Sequence, residues 1–549
     1  MSSPFVELRT NTIAAYLTER GQVGPQERAN FLDPKLSALT SPHGMRDRQL
    51  AAERIASAIK QGEKLVVFGD YDCDGMTATA IVTEVVRILG GNVQPLLASR
   101  FQGGYGVSEM ALERIIAQQP QLVVTCDCGS SDHKSLQVLR DLGIDVIVID
   151  HHLVPEEALP VLAFLNPHRP ECTFPYKGLA SCGLALSVMA ELRKQLGVEL
   201  DIRNWLDLVA IGTIADVAPL SGDNRILVRA GLAKLKEAQR PGLRALMALI
   251  GFNLTHPITA SDVAFRLAPR INAPGRLQAP DSALALMLER DPDKAQGIAS
   301  EVEQLCQTRR TEQGRILELA EAQVTALERS EGDAIVVGHE GWNHGIVGIV
   351  AGRLADQHKC PTIVIGFEGG RGRGSVRGPS GFPLFDAVAE CEAHLVRFGG
   401  HQAAAGLEIA MEQLEAFRTS FVQACRKRAN TAPVARREPL LVHPGDRVTD
   451  LLADCYLLEP TGEGNPALSF AFDCFIKGCR SVRGGHLKFE FELDSGDRLG
   501  GFGPGLAATL GDVTGRARVV GQLRPDTYRG GEAVELLVNE VTTAIQSSR

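Results

Sequence analysis

The sequence predicts an α/β protein: a doubly wound parallel sheet, a long connecting helix, a second and smaller α/β unit, and a C-terminal β-barrel. Three observations carry this. Between residues 64 and 149, short apolar runs alternate with stretches of helical periodicity. Residues 292–328 keep that periodicity without a break. Residues 439–549 instead alternate apolar and polar positions between turn residues.

Taken in order, residues 1–50 read as an N-terminal arm with some helix. The first large unit spans 51–290. Its strands are expected at about 64–69, 93–98, 121–126 and 145–149, separated by helices at 76–89, 108–118 and 132–142, which requires a parallel sheet. In the first helix Ile81, Val85 and Leu89 repeat at helical spacing, and Gly90-Gly91 closes it. Helical segments dominate from about 181 to 290. Asp291-Pro292 is an N-cap followed by proline, and opens a connecting helix assigned to 291–329. Its apolar side carries Ile298, Val302, Leu305, Ile316, Leu319 and Leu327. A helix on the order of 55 Å long and polar on most faces bridges domains. The second α/β unit, 330–430, begins with the strand Ala334 to Gly338, is glycine-rich at 369–381, and ends in Phe398-Gly399-Gly400-His401. A polar linker at 429–438 leads to the barrel, 439–549.

At 549 residues the chain needs several domains. No apolar run reaches the roughly 18 residues of a membrane span, and MSSPFVELRT has neither the basic nor the apolar region of a signal peptide. A cytoplasmic protein without membrane contact is expected. The 12 cysteines include no CxxC pair, so they read as reduced thiols. A net charge of −9 argues weakly against nucleic acid. Net charge is a sum, however, and a metal site consumes acids. Local basic runs exist: Arg371 with Arg373 and Arg377, then Arg426-Lys427-Arg428 and Arg436-Arg437.

The chemistry gathers at strand ends. Leu65-Val66-Val67-Phe68 leads into Asp70-Tyr71-Asp72-Cys73-Asp74-Gly75. Three carboxylates therefore sit on a strand-to-helix turn, where α/β folds place their ligands. At about 4 Å and an effective dielectric near 20, one like-charge pair costs roughly 4 kcal/mol, a cost that a divalent cation removes. An EF-hand calcium loop opens the same way, but it needs Glu at its twelfth position, here Ile81, and a helix before it. The third strand ends in Asp127-Cys128-Gly129 and the fourth in Asp150-His151-His152. Asp216 follows an apolar helix. Any one of these alone reads as structural. Three on adjacent parallel strand ends read as a site. Mixed carboxylate and imidazole ligands suit manganese, magnesium or zinc pairs, and a shared Asp can bridge two ions.

In order, Asp70-Tyr-Asp72-Cys-Asp74-Gly75, Asp127-Cys128-Gly129, Asp150-His151-His152 and Asp216 resemble the four motifs of the DHH phosphoesterases, and among them the single-strand-specific 5′→3′ DNA exonucleases. The resemblance covers about 45–549. It includes Ser99-Arg100-Phe101, Gly104-Tyr105-Gly106, Pro269-Arg270-Ile-Asn272-Ala-Pro-Gly275-Arg276, Gly341-Trp342-Asn-His344-Gly345, Gly372-Arg-Gly374-Ser375-Val-Arg377, Gly399-Gly400-His401 and Thr461-Gly-Glu-Gly464-Asn465-Pro466. It implies a DHH domain followed by a DHH-associated domain. It also implies two divalent ions, Mn2+ or Mg2+, with Asp72 and Asp216 on one, Asp74 and His151 on the other, and Asp127 between them. His152 would meet the scissile phosphate, with Asp150 behind, orienting His151. Many family members carry a ligand His at the position of Phe68, so Asp70 could substitute directly or through water.

Arg100, Arg270, Asn272, Arg276, Arg373, Ser375, Arg377 and His401 are the substrate-binding residues that the resemblance implies. The glycine-rich run around Ser375 is no Walker loop, but can offer N–H groups, a hydroxyl and guanidinium forks to phosphate. The barrel resembles an OB-fold, with Phe489, Phe491, Phe502 and Tyr528 as stacking candidates, half of them core. The resulting expectation is an exonuclease of single-stranded DNA in recombination and repair. It would act as a monomer alongside a single-strand-binding protein and a helicase. Two rivals remain: a phosphoesterase of short oligonucleotides or dinucleotides, and a non-catalytic replication scaffold of the same descent. The C-terminal 110 residues speak against the first, and the retained Asp and His set against the second.

Overall fold

The computed structural model describes residues 7–327, 329–330, 332–401, 404–428, 438–511, 513–526 and 533–543. β1 (Lys64–Gly69), β2 (Asn92–Leu97), β3 (Leu122–Cys126), β4 (Asp145–Ile149) and β5 (Ala163–Leu165) form one parallel sheet in the order β2-β1-β3-β4-β5. From β1 the chain steps first to one side and then to the other, so a crevice opens at the carboxyl ends of β1 and β3. Both faces are covered, which is why the strands read as unbroken apolar runs. Val67, Val124 and Ile147 pack with Val82, Met189 and Val209 on one side. Val66, Phe68, Val123 and Val148 pack with Ile115 and Leu139 on the other. The three-residue β5 is too short to leave a periodic signal, and the sequence reading does not include it.

The helix Pro292–Ala326 opens on Asp291, whose carboxylate accepts the N–H of Asp293 at 2.9 Å and of Lys294 at 3.3 Å. Ala299 and Val302 near its start belong to the first core. Ile316, Ala320 and Val324 near its end pack with Val337, Val350 and Val364 of the second unit. One helix is thus built into two cores. The second sheet is mixed: β6 (Ile335–Glu340), β7 (Thr362–Glu368), β8 (Arg371–Arg377), β9 (Arg397–His401) and β10 (Ala404–Ala410), ordered β6-β7-β8-β10-β9. β8 corrects the expectation of a glycine-rich phosphate loop. It lies between β7 and β10, so its N–H groups serve the sheet.

β11 (Leu440–Leu441), β12 (Phe470–Val482), β13 (His486–Leu493), β14 (Arg498–Gly503), β15 (Gly515–Pro525) and β16 (Val534–Thr543) make the C-terminal sheet. The order β12-β13-β14-β16-β15, closed by pairing of β12 with β15, is a five-stranded OB-like barrel. Phe489 and Phe491 are its core, Phe502 is partly exposed, and Tyr528 lies outside the described residues. The N-terminal segment does not stand apart as an arm. Ile13, Tyr16, Leu17 and Leu32 share the barrel's core, and the Asp454 and Asp446 carboxylates accept the N–H groups of Thr10 and Thr12 at 2.9 and 2.8 Å. Two arginines one turn apart on the helix Gly222–Lys236 join barrel to first unit. Arg225 donates to the carbonyls of Leu458 and Phe31, and Arg229 to that of Glu459 at 2.7 Å. Among the described residues no helix is long and apolar enough to cross a membrane.

Candidate metal centre and phosphate cradle

Apolar strand runs end where polar residues begin, and parallel strands put those ends on one edge. After β1 the chain turns at Asp70-Tyr71-Asp72 into the helix Cys73–Ile88. Asp72 caps that helix, its Oδ1 accepting the N–H groups of Asp74 at 3.0 Å and Gly75 at 3.1 Å. The turn demands glycine at 75, where a Cβ would lie 2.6 Å from the Asp70 carbonyl oxygen. Asp74 points to the start of the helix Ser181–Gln195, whose Ser181 and Cys182 N–H groups donate to its two oxygens at 2.7 and 2.9 Å. Gly212 lets the helix Leu206–Ala215 reach the same carboxylate, since a Cβ there would lie 2.9 Å from Asp74 Oδ1. That helix ends at Asp216, and the next residue, Val217, takes a left-handed φ of 60°. For a β-branched side chain this costs about 1–3 kcal/mol, strain of the kind that collects at functional sites.

These side chains form three overlapping groups whose ligand atoms lie within 4.8 Å of one another: Asp70 with Asp72 and Asp127, Asp74 with His151 and Asp216, and Asp127 with His151 and His152. His151 Nε2 sits 3.3 Å from Asp127, 3.6 Å from Asp216 and 3.9 Å from Asp74. Asp216 therefore groups with Asp74 and His151 rather than with Asp72. Asp70 joins Asp72, and Phe68 is buried in the core beneath the sheet. Asp150 also departs from expectation. Its Oδ1 accepts from His152 Nδ1 at 2.7 Å, while His151 gives it only a backbone N–H, so it orients His152.

Electrostatics agree with a cation site. Burial pushes the Asp127 carboxyl well above its usual range, and the charges of Asp74 and Asp72 push the same way. Asp216 rises to about 8, through burial and then Asp74. Burial, then Asp72, raises Asp70, and burial raises Asp74 against the pull of His151. Asp70 Oδ1 and His151 Nε2 are buried with no hydrogen-bond partner among the described residues. A carboxylate and imidazole donor set with orphaned donor atoms suits a divalent cation. His152 differs: burial opposes its charge, but the Asp150 hydrogen bond and the charges of Asp150, Asp216 and Asp72 together outweigh burial and lift it to about 9.

The basic side of the site is equally unpaired. Burial lowers Arg276 to about 10, followed by the charges of Arg100, Arg309 and Arg377. Arg100 lies 4.0 Å over the Tyr71 ring, with its Nε buried and unpartnered. Arg276 donates to the Gly345 carbonyl at 3.1 Å. Arg377 donates to Ser375 Oγ at 2.9 Å. Asn272 Oδ1 and Arg309 Nε are buried without partners. Two expected phosphate contacts are committed elsewhere. Arg270 pairs with Glu303 of the long helix, and Arg373 pairs with Glu408 at 2.9 Å. The His401 side chain lies outside the described residues. Three neighbours were not singled out from sequence. The Tyr105 hydroxyl donates to the Asp127 carbonyl and lies 3.1 Å from His152 Nδ1. Ser181 Oγ donates to Asp127 at 3.0 Å. Arg309 joins the arginines from the connecting helix. Tyr105 carried a signal in its Gly-Tyr-Gly motif, whereas Ser181 and Arg309 carried none.

The DHH family, N-terminal domain, matches residues 64–213, and the DHHA1 domain matches 331–427. The single-stranded-DNA-specific exonuclease RecJ of Escherichia coli K12 is 37% identical over 393 residues, 68% of each chain. This chain belongs to the RecJ family. RecJ of Bacillus subtilis 168 is 35% identical over 464 residues, 83% of this chain, which spans 58% of that protein. The solved structure of RecJ with Mn2+ from Thermus thermophilus is 30% identical and covers 97% of this chain and 76% of its own, with a TM-score of 0.81. Solved RecJ structures hold Mn2+ or Mg2+.

Proposed function

We propose that this RecJ-family chain is a metal-dependent exonuclease of single-stranded DNA in recombination and repair, cutting from the 5′ end and releasing 5′-mononucleotides. The observation that carries this reading is the pairing of two unsatisfied clusters. Five carboxylates and His151 converge with orphaned donor atoms. Beside them lie Arg100, Arg276, Arg309 and Arg377, whose charges oppose one another and which form no ion pair among the described residues. A phosphodiester strand with its metal ions complements both.

Asp70, Asp72 and Asp127 would hold one ion, and Asp74, His151 and Asp216 the second. Divalent ions there supply an activated water and neutralise charge on the phosphoryl oxygen. The chain's own residues do the rest. Arg100, Arg377 and Ser375 hold the terminal phosphate, and Arg276 steadies the next one. Asp150 and Tyr105 fix His152, which keeps a proton at neutral pH and can give it to the departing 3′ oxygen. Asp74 is locked by two N–H groups and Asp127 by Ser181 and its strand end, so the ligand set is preorganised. The barrel would grip the following strand as a monomeric module, with unpaired ends supplied by a helicase and a single-strand-binding protein.

The test compares single- and double-stranded oligonucleotides of about 20 nucleotides, labelled at either end, with Mn2+, Mg2+ or chelator. The expected result is metal-dependent release of mononucleotides from the 5′ end of unpaired strands alone. Cleavage confined to dinucleotides, or undiminished by chelator, would overturn the proposal.

A further inference from the structure

A cavity of about 1470 Å³ lies between the first unit, the connecting helix and the barrel. It does not include the carboxylates. Its lining reaches Asn272, Arg276 and Arg309 at the site end and Gln522 and Arg524 at the barrel end. The same lining includes two exposed apolar side chains, Val217 at 66% and Phe265 at 74% exposure.

Phe265 is displayed by construction. It sits on the π-helical turn Val263–Leu267, a local distortion that often marks function. Val263 and Leu267 on either side are fully buried in the first core. Arg266 is tied down, bonded to Asp262 and to the carbonyls of Ile250 and Gly251, with its guanidinium 4.0 Å from the Phe252 ring centre. Thr259 and Asp262 cap the segment reciprocally. The neighbours are therefore anchored, and of the five residues of this turn Phe265 alone is exposed, lining the cavity together with Ala264 and Arg266. An exposed ring in a cavity lined also by Arg276 and Arg309 matches a single strand, whose flat bases alternate with anionic phosphates. Arg309 Nε and Asn272 Oδ1, buried at the same end, have no hydrogen-bond partner among the described residues.

We propose that Phe265 is a base-stacking residue, gripping one base of the strand on the 3′ side of the cut. This rests on the nucleic-acid reading of the site above, and binding and hydrolysis separate the two. The probe is a 5′-phosphorylated strand of about 20 nucleotides carrying one abasic nucleotide, moved along it position by position. Without divalent metal, binding by fluorescence anisotropy should weaken about tenfold at one abasic position near the 5′ end, the size of one stacked base. Phe265→Ala should bind the intact strand about tenfold more weakly and lose that positional penalty, while Phe265→Trp keeps both. Because the ring is exposed, melting temperature should not change. Equal binding of intact and abasic strands by the natural protein, or the same penalty in Phe265→Ala, overturns the stacking role. Positional discrimination in binding with no release of nucleotides in Mn2+ leaves stacking standing and overturns the exonuclease reading instead.

Discussion

Two buried charge clusters lie in the first unit and have opposite fates. In one, Arg240 pairs with Glu84 at 2.7 Å and Asp207 at 3.2 Å, Arg290 reaches Glu84 at 2.7 Å, and Trp205 donates to the same carboxylate. The charges match, and the donors end on acceptors. In the other, Asp70, Asp72, Asp74, Asp127 and Asp216 face one another, and among the described residues His151 and His152 are the basic side chains in their ligand groups. The first cluster joins helices. The second is an electrostatic debt that folding alone does not settle. Burial by itself therefore says little about role, whereas burial without a partner points to a ligand.

The sharpest way to break the comparison is Asp127→Asn. It removes the carboxylate that belongs to two of the three ligand groups and keeps size, the Ser181 hydrogen bond and a side chain that tolerates the φ of 63°. Nucleotide release should fall at least about a thousandfold, roughly 4 kcal/mol. The metal-free melting temperature should rise at neutral pH, because the position no longer carries a carboxyl whose ionisation burial and its neighbours oppose. Near-normal turnover in saturating Mn2+, or a lower melting temperature, would show that Asp127 is no shared ligand.

The matched cluster should respond the other way. Arg240→Met strands Asp207, takes from Glu84 its buried guanidinium partner, and should destabilise the fold by about 3 kcal/mol. Turnover per folded molecule should stay unchanged. Denaturant melts together with active-site titration test this, and lost turnover in a fully folded variant would place that network in the chemistry.

Arg377→Ala probes the basic half. Losing one charge-assisted contact should weaken a 5′-phosphorylated oligonucleotide by about 2 kcal/mol, roughly thirtyfold, at low salt. The loss should shrink as salt rises. Calorimetry across a salt series reads this directly, and an unchanged affinity at low salt would remove Arg377 from the cradle.

The acidic half of this contrast was legible in the sequence because parallel strands make it so. Val66-Val67-Phe68, Val123-Val124 and Ile147-Val148-Ile149 each end in polar residues, and parallel pairing forces those ends together. Partnering was not legible. Arg270 looked like a phosphate contact and proved to be a strut to Glu303, while Arg309, in the polar register of a long helix, proved to face the site. Both outcomes depend on where the connecting helix crosses the first unit, which no local pattern encodes. The same holds for the N-terminal helices. Their union with the barrel spans over 430 residues of chain, through Thr12 and Asp446. The stretch 371–377 misled for a local reason. Glycine there marks tight packing rather than a loop: a Cβ at Gly374 would lie 2.9 Å from Leu407.

The mildest test of the comparison uses pH, without any substitution. Asp216 holds its proton up to about pH 8 in the metal-free fold and releases it near 3.8 once unfolded. Asp70, Asp74 and Asp127 are raised as well, and burial leads in each case. Between those limits the unfolded chain binds fewer protons than the folded one, so stability falls as pH rises. His152, raised to about 9, adds to the fall above its ordinary 6.5. His151 is lowered by burial and pulls the other way, but it is one group against four carboxylates. Asp150, held near 2 because His152 outweighs its burial, contributes fully throughout. The metal-free melting temperature should therefore drop by a few degrees between pH 5 and pH 8. In Mn2+ the trend should flatten or reverse, because bound cations favour the ionised carboxylates. The matched cluster predicts no such metal dependence. Metal-free and Mn2+-loaded melting curves that run parallel across this range would mean that the five carboxylates are neutralised by the chain itself.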